Sequence, residues 1–200
     1  MYHLKITIDK INPQIWRLIA VPETFSLNKL HHIIQLSFGW TNSHLYMFGE
    51  YENKIGDPIL WADDEYPTRW DKKVKISDVF QNVGDELKYE YDMGDGWYHT
   101  IVLKKIEDGG SRHARCLDGA RNAPPEDCGG IDGYNEMIHH RYHPEKDGYI
   151  ELVEWLGEEY DSELFDIKAV NKELRGLVKY IKEFDEGNGL KLLLMSEYGN

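Results

Sequence analysis

Tyr2, Leu4, Ile6 and Ile8 alternate with His3, Lys5, Thr7 and Asp9, the two-residue period of a strand with one face on a core. Ile15 to Val21 is apolar on both faces, as expected of a strand inside a sheet, and Asn12-Pro13 predicts the turn that makes the two a hairpin. The period then lengthens. Leu27, Leu30, Ile34 and Phe38 mark one face of a helix that Ser26 can cap and Gly39 can stop. His44 to Phe48 reads as the next strand, followed after a short apolar piece at Val79 and Phe80 by a hairpin of Leu87 to Met93 and Trp97 to Ile106. Its register follows from parity. A three-residue loop, Gly94-Asp95-Gly96, sets Tyr91 opposite His99 with the apolar side chains on one face and Gly96 at positive φ. Further on, Tyr149, Leu152, Val153 and Leu156 form one helical face, and Leu174, Leu177, Val178, Ile181 and Phe184 another. The tail from Leu190 to Met195 fits either a strand or a buried helix end.

Two stretches break the pattern. Gly56 to Lys73 dissolves into prolines, tryptophans and acids, and a long irregular loop of that kind is a candidate lid. Residues 107 to 133 are also irregular. With no fixed-period repeat, the elements predict an α+β fold: a mainly antiparallel sheet flanked by helices, in one domain over residues 1–200, with a helical C-terminal part from about residue 133.

Charge narrows the partners. Acids outnumber bases 36 to 23 in the 200-residue chain, for a formal charge of −13, whereas proteins that neutralise phosphates gather a basic surface. The visible cluster Lys72-Lys73-Lys75 is small and lies beside Asp71 and Asp78, so direct nucleic-acid binding is not expected. The first residues lack the apolar run of a secretory signal, and no segment approaches membrane-spanning length, which predicts a soluble cytoplasmic protein without a membrane partner. Two cysteines are too few for a disulfide scaffold.

Two dense segments remain. Tyr89-Glu90-Tyr91-Asp92-Met93-Gly94-Asp95-Gly96-Trp97-Tyr98-His99 packs aromatics, acids, glycines and a histidine into one turn. Cys116-Leu117-Asp118-Gly119-Ala120-Arg121 continues through Pro124-Pro125-Glu126-Asp127-Cys128-Gly129-Gly130. With Trp16-Arg17, Leu30-His31, Gly39-Trp40, His44-Leu45 and Phe48, these segments resemble the Ri-plasmid Orf-three-like family, a passenger-protein family of insertion elements. The resemblance runs over most of the chain and implies an α+β fold and a place in mobile-element or accessory gene contexts, with no reaction to carry over. This chain departs from it at Tyr46, where relatives often have histidine, and at Ala123, where they often have cysteine.

Zinc is the first chemistry to weigh. His113, Cys116, Cys128, His139, His140 and His143 are the right residue types, but no Cys-x-x-Cys pair exists, Ala123 removes a thiolate, and no glutamate follows His139 as in a zinc protease. No metal or cofactor is expected from that set. Cys128 before Gly129-Gly130 suggests a nucleophile, yet no histidine is assigned to it by sequence. Asp92, Asp95, Glu126 and Asp127, with His99, offer acid–base groups or an oxygen-rich site, although Asp and Gly are also ordinary turn residues. The expectation is therefore a non-enzymatic recognition or protein-interaction module for an unknown protein or small ligand. Its candidate surface comprises Tyr91, Asp92, Asp95, Trp97, His99, Arg121, Glu126, Asp127 and Tyr134. The alternative is a metal-assisted hydrolase using Asp92, Asp95 and Glu126. Either way the two segments should touch, with Arg121 clamping Asp92 or Asp95 and with Trp97 and Tyr134 walling the depression between them.

Overall fold

In the computed structural model the chain builds an eight-stranded sheet of order β5-β4-β3-β6-β7-β1-β2-β8. Residues 1–58, 60, 68–143, 149–156 and 160–186 are described. The strands are β1 (Tyr2–Ile8), β2 (Trp16–Val21), β3 (Tyr46–Phe48), β4 (Ile55–Gly56), β5 (Arg69–Trp70), β6 (Glu86–Tyr91), β7 (Trp97–Ile106) and β8 (Arg115–Ala120). All neighbours pair antiparallel except β4 and β5. The helices are α1 (Leu27–Phe38), α2 (Ile76–Val79), α3 (Gly130–Tyr142), α4 (Tyr149–Leu156), α5 (Ile167–Arg175) and α6 (Leu177–Asp185). This is one α+β domain.

β1 buries Leu4, Ile6 and Ile8 and presents them beside Leu103, Ile101 and His99 of β7. The alternation fixes this register, because a one-residue slip would turn the whole row to solvent. β2 lies inside the sheet between β1 and β8, which explains why it is apolar on both faces. α1 begins as expected, with Ser26 Oγ accepting from the Lys29 N–H at 3.3 Å. It ends at Gly39, whose φ of 79° lets its N–H reach the Gln35 carbonyl. Ten of its twelve residues are buried, because α1 lies between the sheet and the α5–α6 pair. His31 stacks on Tyr46 of β3, while the neighbouring His32 meets Tyr180 and Phe184 of α6 edge-on.

Four expectations need correction. The β6–β7 hairpin pairs Tyr91 with Trp97 and Tyr89 with His99, two residues away from the expected register. Parity is kept, so the same side chains face the core; the loop is Asp92 to Gly96, because Asp92 itself enters positive φ at 54° and its carbonyl accepts the Gly96 N–H. Gly96 does have positive φ, at 67°. The stretch read as irregular over 107–133 contains edge strand β8, whose sequence Arg-Cys-Leu-Asp-Gly-Ala lacks β-branched residues and alternates only at Cys116. Asn171 of α5 borders this strand, accepting from the Cys116 N–H and donating to its carbonyl, both at 2.9 Å. The continuous C-terminal face is broken at Gly176: Leu174 and Leu177 are buried, but Val178 is 74% exposed because α6 restarts in a new phase. Lastly, α4 buries none of its residues fully, leaving Ile150 and Trp155 exposed while Leu152 and Leu156 pack on the core.

Within the 56–73 stretch, residues 59 and 61–67, and with them most of the expected lid, lie outside the described residues. The described ends are anchored, since Arg69–Trp70 pairs with Ile55–Gly56 and Asp71 is fully buried. The tail from Leu190 to Met195 lies outside them as well.

Candidate functional site

The five residues after the Gly39 cap of α1, Trp40 to His44, hold the site together, each by a different attachment. Trp40 Nε1 donates to the Pro124 carbonyl at 2.9 Å. Thr41 donates its N–H and its hydroxyl to Glu126 Oε1 at 2.8 and 3.0 Å. Asn42, buried, accepts at Oδ1 from His31 Nε2 at 2.7 Å. The Ser43 N–H donates to the Tyr91 hydroxyl at 3.1 Å, and that hydroxyl donates to Glu126 Oε1 at 2.9 Å. His44 then projects its Nε2 to 3.1 Å from Asp127 Oδ1, 3.7 Å from Asp92 Oδ2 and 3.9 Å from Glu126 Oε2.

Each inner carboxylate uses one oxygen for the fold and turns the other toward His44. Asp92 Oδ1 accepts the Gly94 and Asp95 N–H groups at 3.0 and 3.3 Å, an Asx-type turn that holds the loop. Glu126 Oε1 is occupied by Thr41 and Tyr91. Glu126 Oε2 is a buried atom without a hydrogen-bond partner among the described residues, and His44 Nε2, also buried, has only the 3.1 Å approach of Asp127 Oδ1. The donor atoms of His44, Asp92 and Asp127 all lie within 4.8 Å of one another. Asp92 is nine-tenths buried, whereas the Asp127 side chain is 69% exposed, so the cluster opens to solvent on that side. Burial, with the Glu126 charge behind it, drives the Tyr91 phenol far above its usual range and keeps it neutral.

The two dense segments are in contact. Asp95 Oδ2 accepts the Gly129 N–H at 3.1 Å, and a β-carbon on Gly130 (φ 67°) would lie 2.4 Å from the Asp95 carbonyl oxygen. Arg121 is not the clamp. It pairs with Glu163 at 2.6 Å and donates to the Pro13 carbonyl at 2.8 Å, from a residue whose own φ is positive at 65°. Trp97 and Tyr134 do not wall a depression either, and His99 is not part of an open surface; all three are core side chains, with His99 Nδ1 donating to the Trp97 carbonyl at 2.8 Å. Of the residues proposed from sequence, the structure gathers Tyr91, Asp92, Glu126 and Asp127 around one point, with Asp95 serving the loop–loop contact beside it. His44 was missed. It reads as the first residue of a strand, and its partners lie far along the chain, so no spacing reveals it.

Open grooves adjoin the cluster. One, of about 510 Å³, runs from Phe38 and Trp40 past Pro124 and Pro125 to Glu126, with Tyr160 and Leu164 along its other side. Another, of about 350 Å³, is lined by Asp127, Cys128, Met137, His140 and Trp155. The Cys128 thiol is not a poised nucleophile: burial and the Asp95 charge push it up to about 12.

A family model described as plasmid pRiA4b ORF-3-like protein matches residues 1–169. The chain belongs to this family. It is 35% identical over 178 residues to the uncharacterized protein y4hQ of Sinorhizobium fredii (strain NBRC 101917 / NGR234), covering 87% of this chain and 90% of that one. It is also similar in structure to the protein of unknown function MM3350 from Methanosarcina mazei Go1, with a TM-score of 0.74 and 39% identity over 84% of this chain and 94% of that one. The two chains therefore share one fold. No helix among the described residues is long and apolar enough to cross a membrane.

Proposed function

We propose that this family member is a non-enzymatic accessory module of mobile-element contexts, cytoplasmic, that recognises a positively charged ligand at the mouth formed by residues 40–44, 92–96 and 126–129. The observation that carries the reading is the charge imbalance at His44. Three carboxylate oxygens approach one imidazole nitrogen, and among the described residues no lysine or arginine pairs with any of the three. Like charges this close repel unless a cation joins them. The grooves bordering Glu126 and Asp127 give the remainder of a ligand room to lie on either side.

A hydrolase with Asp92, Asp95 and Glu126 on one ion is less well supported, because Asp95 Oδ2 is engaged by the Gly129 amide. Amide-resolved NMR titration with three probes, an arginine-rich peptide, a polyamine and a divalent metal salt, tests the proposal. At least one probe should give saturable shifts at Thr41–His44, the 92–96 loop and residues 126–129, and Asp127→Asn should weaken them. Unchanged spectra with every probe would refute it.

A further inference from the structure

We infer that the cation taken at this mouth is a single divalent transition-metal ion of the manganese, iron(II) or zinc type, held by His44 Nε2, Asp92 Oδ2 and Asp127 Oδ1 with Glu126 Oε2 as a fourth donor. The inference rests on the cationic-ligand reading and names the cation. Three features carry it.

The first is spacing. His44 Nε2 lies 3.1, 3.7 and 3.9 Å from the three oxygens. The two longer separations exceed a hydrogen bond. All three are close to the edge lengths of a coordination polyhedron, since ligand bonds of about 2.0–2.2 Å at tetrahedral or octahedral angles place neighbouring donors roughly 3.0–3.6 Å apart. The His44, Asp92 and Asp127 donor atoms lie within 4.8 Å of one another, so closing these three around one ion takes movements of up to about one ångström, and Glu126 Oε2 joins from outside that group.

The second is that the inner donors lack an alternative. Glu126 Oε2 is a buried atom with no hydrogen-bond partner among the described residues, His44 Nε2 is buried with only the 3.1 Å approach of Asp127 Oδ1 at hydrogen-bond length, and the nine-tenths-buried Asp92 directs Oδ2 at the same point. Leaving such groups unpaired is costly, and one divalent ion satisfies them together.

The third is the outer shell. The opposite oxygens of Asp92 and Glu126 are fixed by the Gly94, Asp95 and Thr41 amides and by the Thr41 and Tyr91 hydroxyls, the second layer that orients metal-bound carboxylates. One imidazole among carboxylates selects borderline divalent ions: calcium and magnesium prefer oxygen alone, and copper(I) prefers sulfur. The exposed side of Asp127 leaves positions for water or for a group of a larger ligand.

Full-length protein stripped with a chelator is titrated calorimetrically with Mn²⁺ and with Zn²⁺, beside His44→Ala, Asp127→Asn and the remote control Cys116→Ser. The expected result is about one ion per chain, affinity lowered at least tenfold in both site variants and kept in the control, and a metal-dependent rise in thermal midpoint that His44→Ala abolishes. Asp127→Asn changes an exposed side chain, so it reads out binding even if His44→Ala folds poorly. Sub-stoichiometric binding, or equal affinity in wild type and Asp127→Asn, overturns the inference. An arginine-rich peptide titrated in parallel separates the two readings. Peptide binding lost in Asp127→Asn without metal binding removes the metal and keeps cation recognition, whereas absence of both removes each.

Discussion

His31 and His44 both stand among tyrosines and carboxylates, but the first is sealed beneath α1 and the second faces water through Asp127. Around His31, burial suppresses charge. The ring lies flat on Tyr46 at 3.4 Å, its Nδ1 meets the Tyr89 hydroxyl at 2.9 Å, and Tyr46 in turn donates to the buried Asp71 at 2.5 Å. Desolvation holds His31 well below its ordinary range and raises Asp71. Around His44 the carboxylates are anchored at their outer oxygens and left open at the inner ones. One cluster fixes the packing of α1 on the sheet; the other keeps charge available. Asn42 binds His31 from the segment that presents His44, so the buried cluster is also the footing of the open one.

Acid should separate the clusters most strongly. His32 and His99 are held at about 4 by burial, against 6.5 for a free side chain. The unfolded chain therefore takes up these protons first. Their stabilisation is complete above about pH 6.5 and is lost as pH falls toward 4, on the order of 3 kcal/mol for each residue. Asp71, with its folded value raised, opposes this over the range just above 3.8. Urea midpoints measured at pH 7, 6 and 5 should fall steadily, and a flat profile would mean that these histidines are not sealed.

Tyr46→Phe comes next. It removes the hydroxyl from Asp71, whose Oδ1 already lacks a partner among the described residues, and should destabilise the protein by about 3 kcal/mol in urea denaturation. His44→Gln, at the open cluster, should shift the same midpoint by less than about 1 kcal/mol. Equal losses in the two variants would erase the distinction. Gly130→Ala should cost about 2 kcal/mol, because the new methyl meets the Asp95 carbonyl at a positive φ; the loop amides at 92–96 should also exchange faster with solvent. Smallest of all is the coupling between Arg121→Ala and Asp95→Asn. These residues have separate partners, so their effects on stability should add within about 0.5 kcal/mol in a double-mutant cycle.

What the chain reveals in advance follows the range of the interaction. β1, β2 and α1 announce themselves because strand alternation and helix caps are local, and the core face of the β6–β7 hairpin is right even where its register is not. The register depended on Asp92 entering a left-handed conformation, which its own side chain supports through the Gly94 and Asp95 amides. β8 was hidden because this edge strand fully buries only one residue, Cys116 near its start. At the site, Asp92, Glu126 and Asp127 were legible as part of dense, glycine-punctuated segments. His44 was not, since its role is created by loops 48 and 82 residues further on. Arg121 was misassigned because a guanidinium matches any carboxylate, and the fold brings Glu163 to it instead of Asp92 or Asp95.

The bond pair between Asn171 and Cys116 bears on how the protein would fail. β8 is an outer strand of the sheet, and an outer strand with free amides and carbonyls is a template for another chain. The Asn171 amide imitates the missing neighbour at one residue of that strand. α5 therefore acts as a guard on the edge as well as a cover for α1. Local opening of α5 would expose an adhesive strand while the rest of the sheet stayed intact, so damage to the helical layer should first become visible as self-association in concentrated solution.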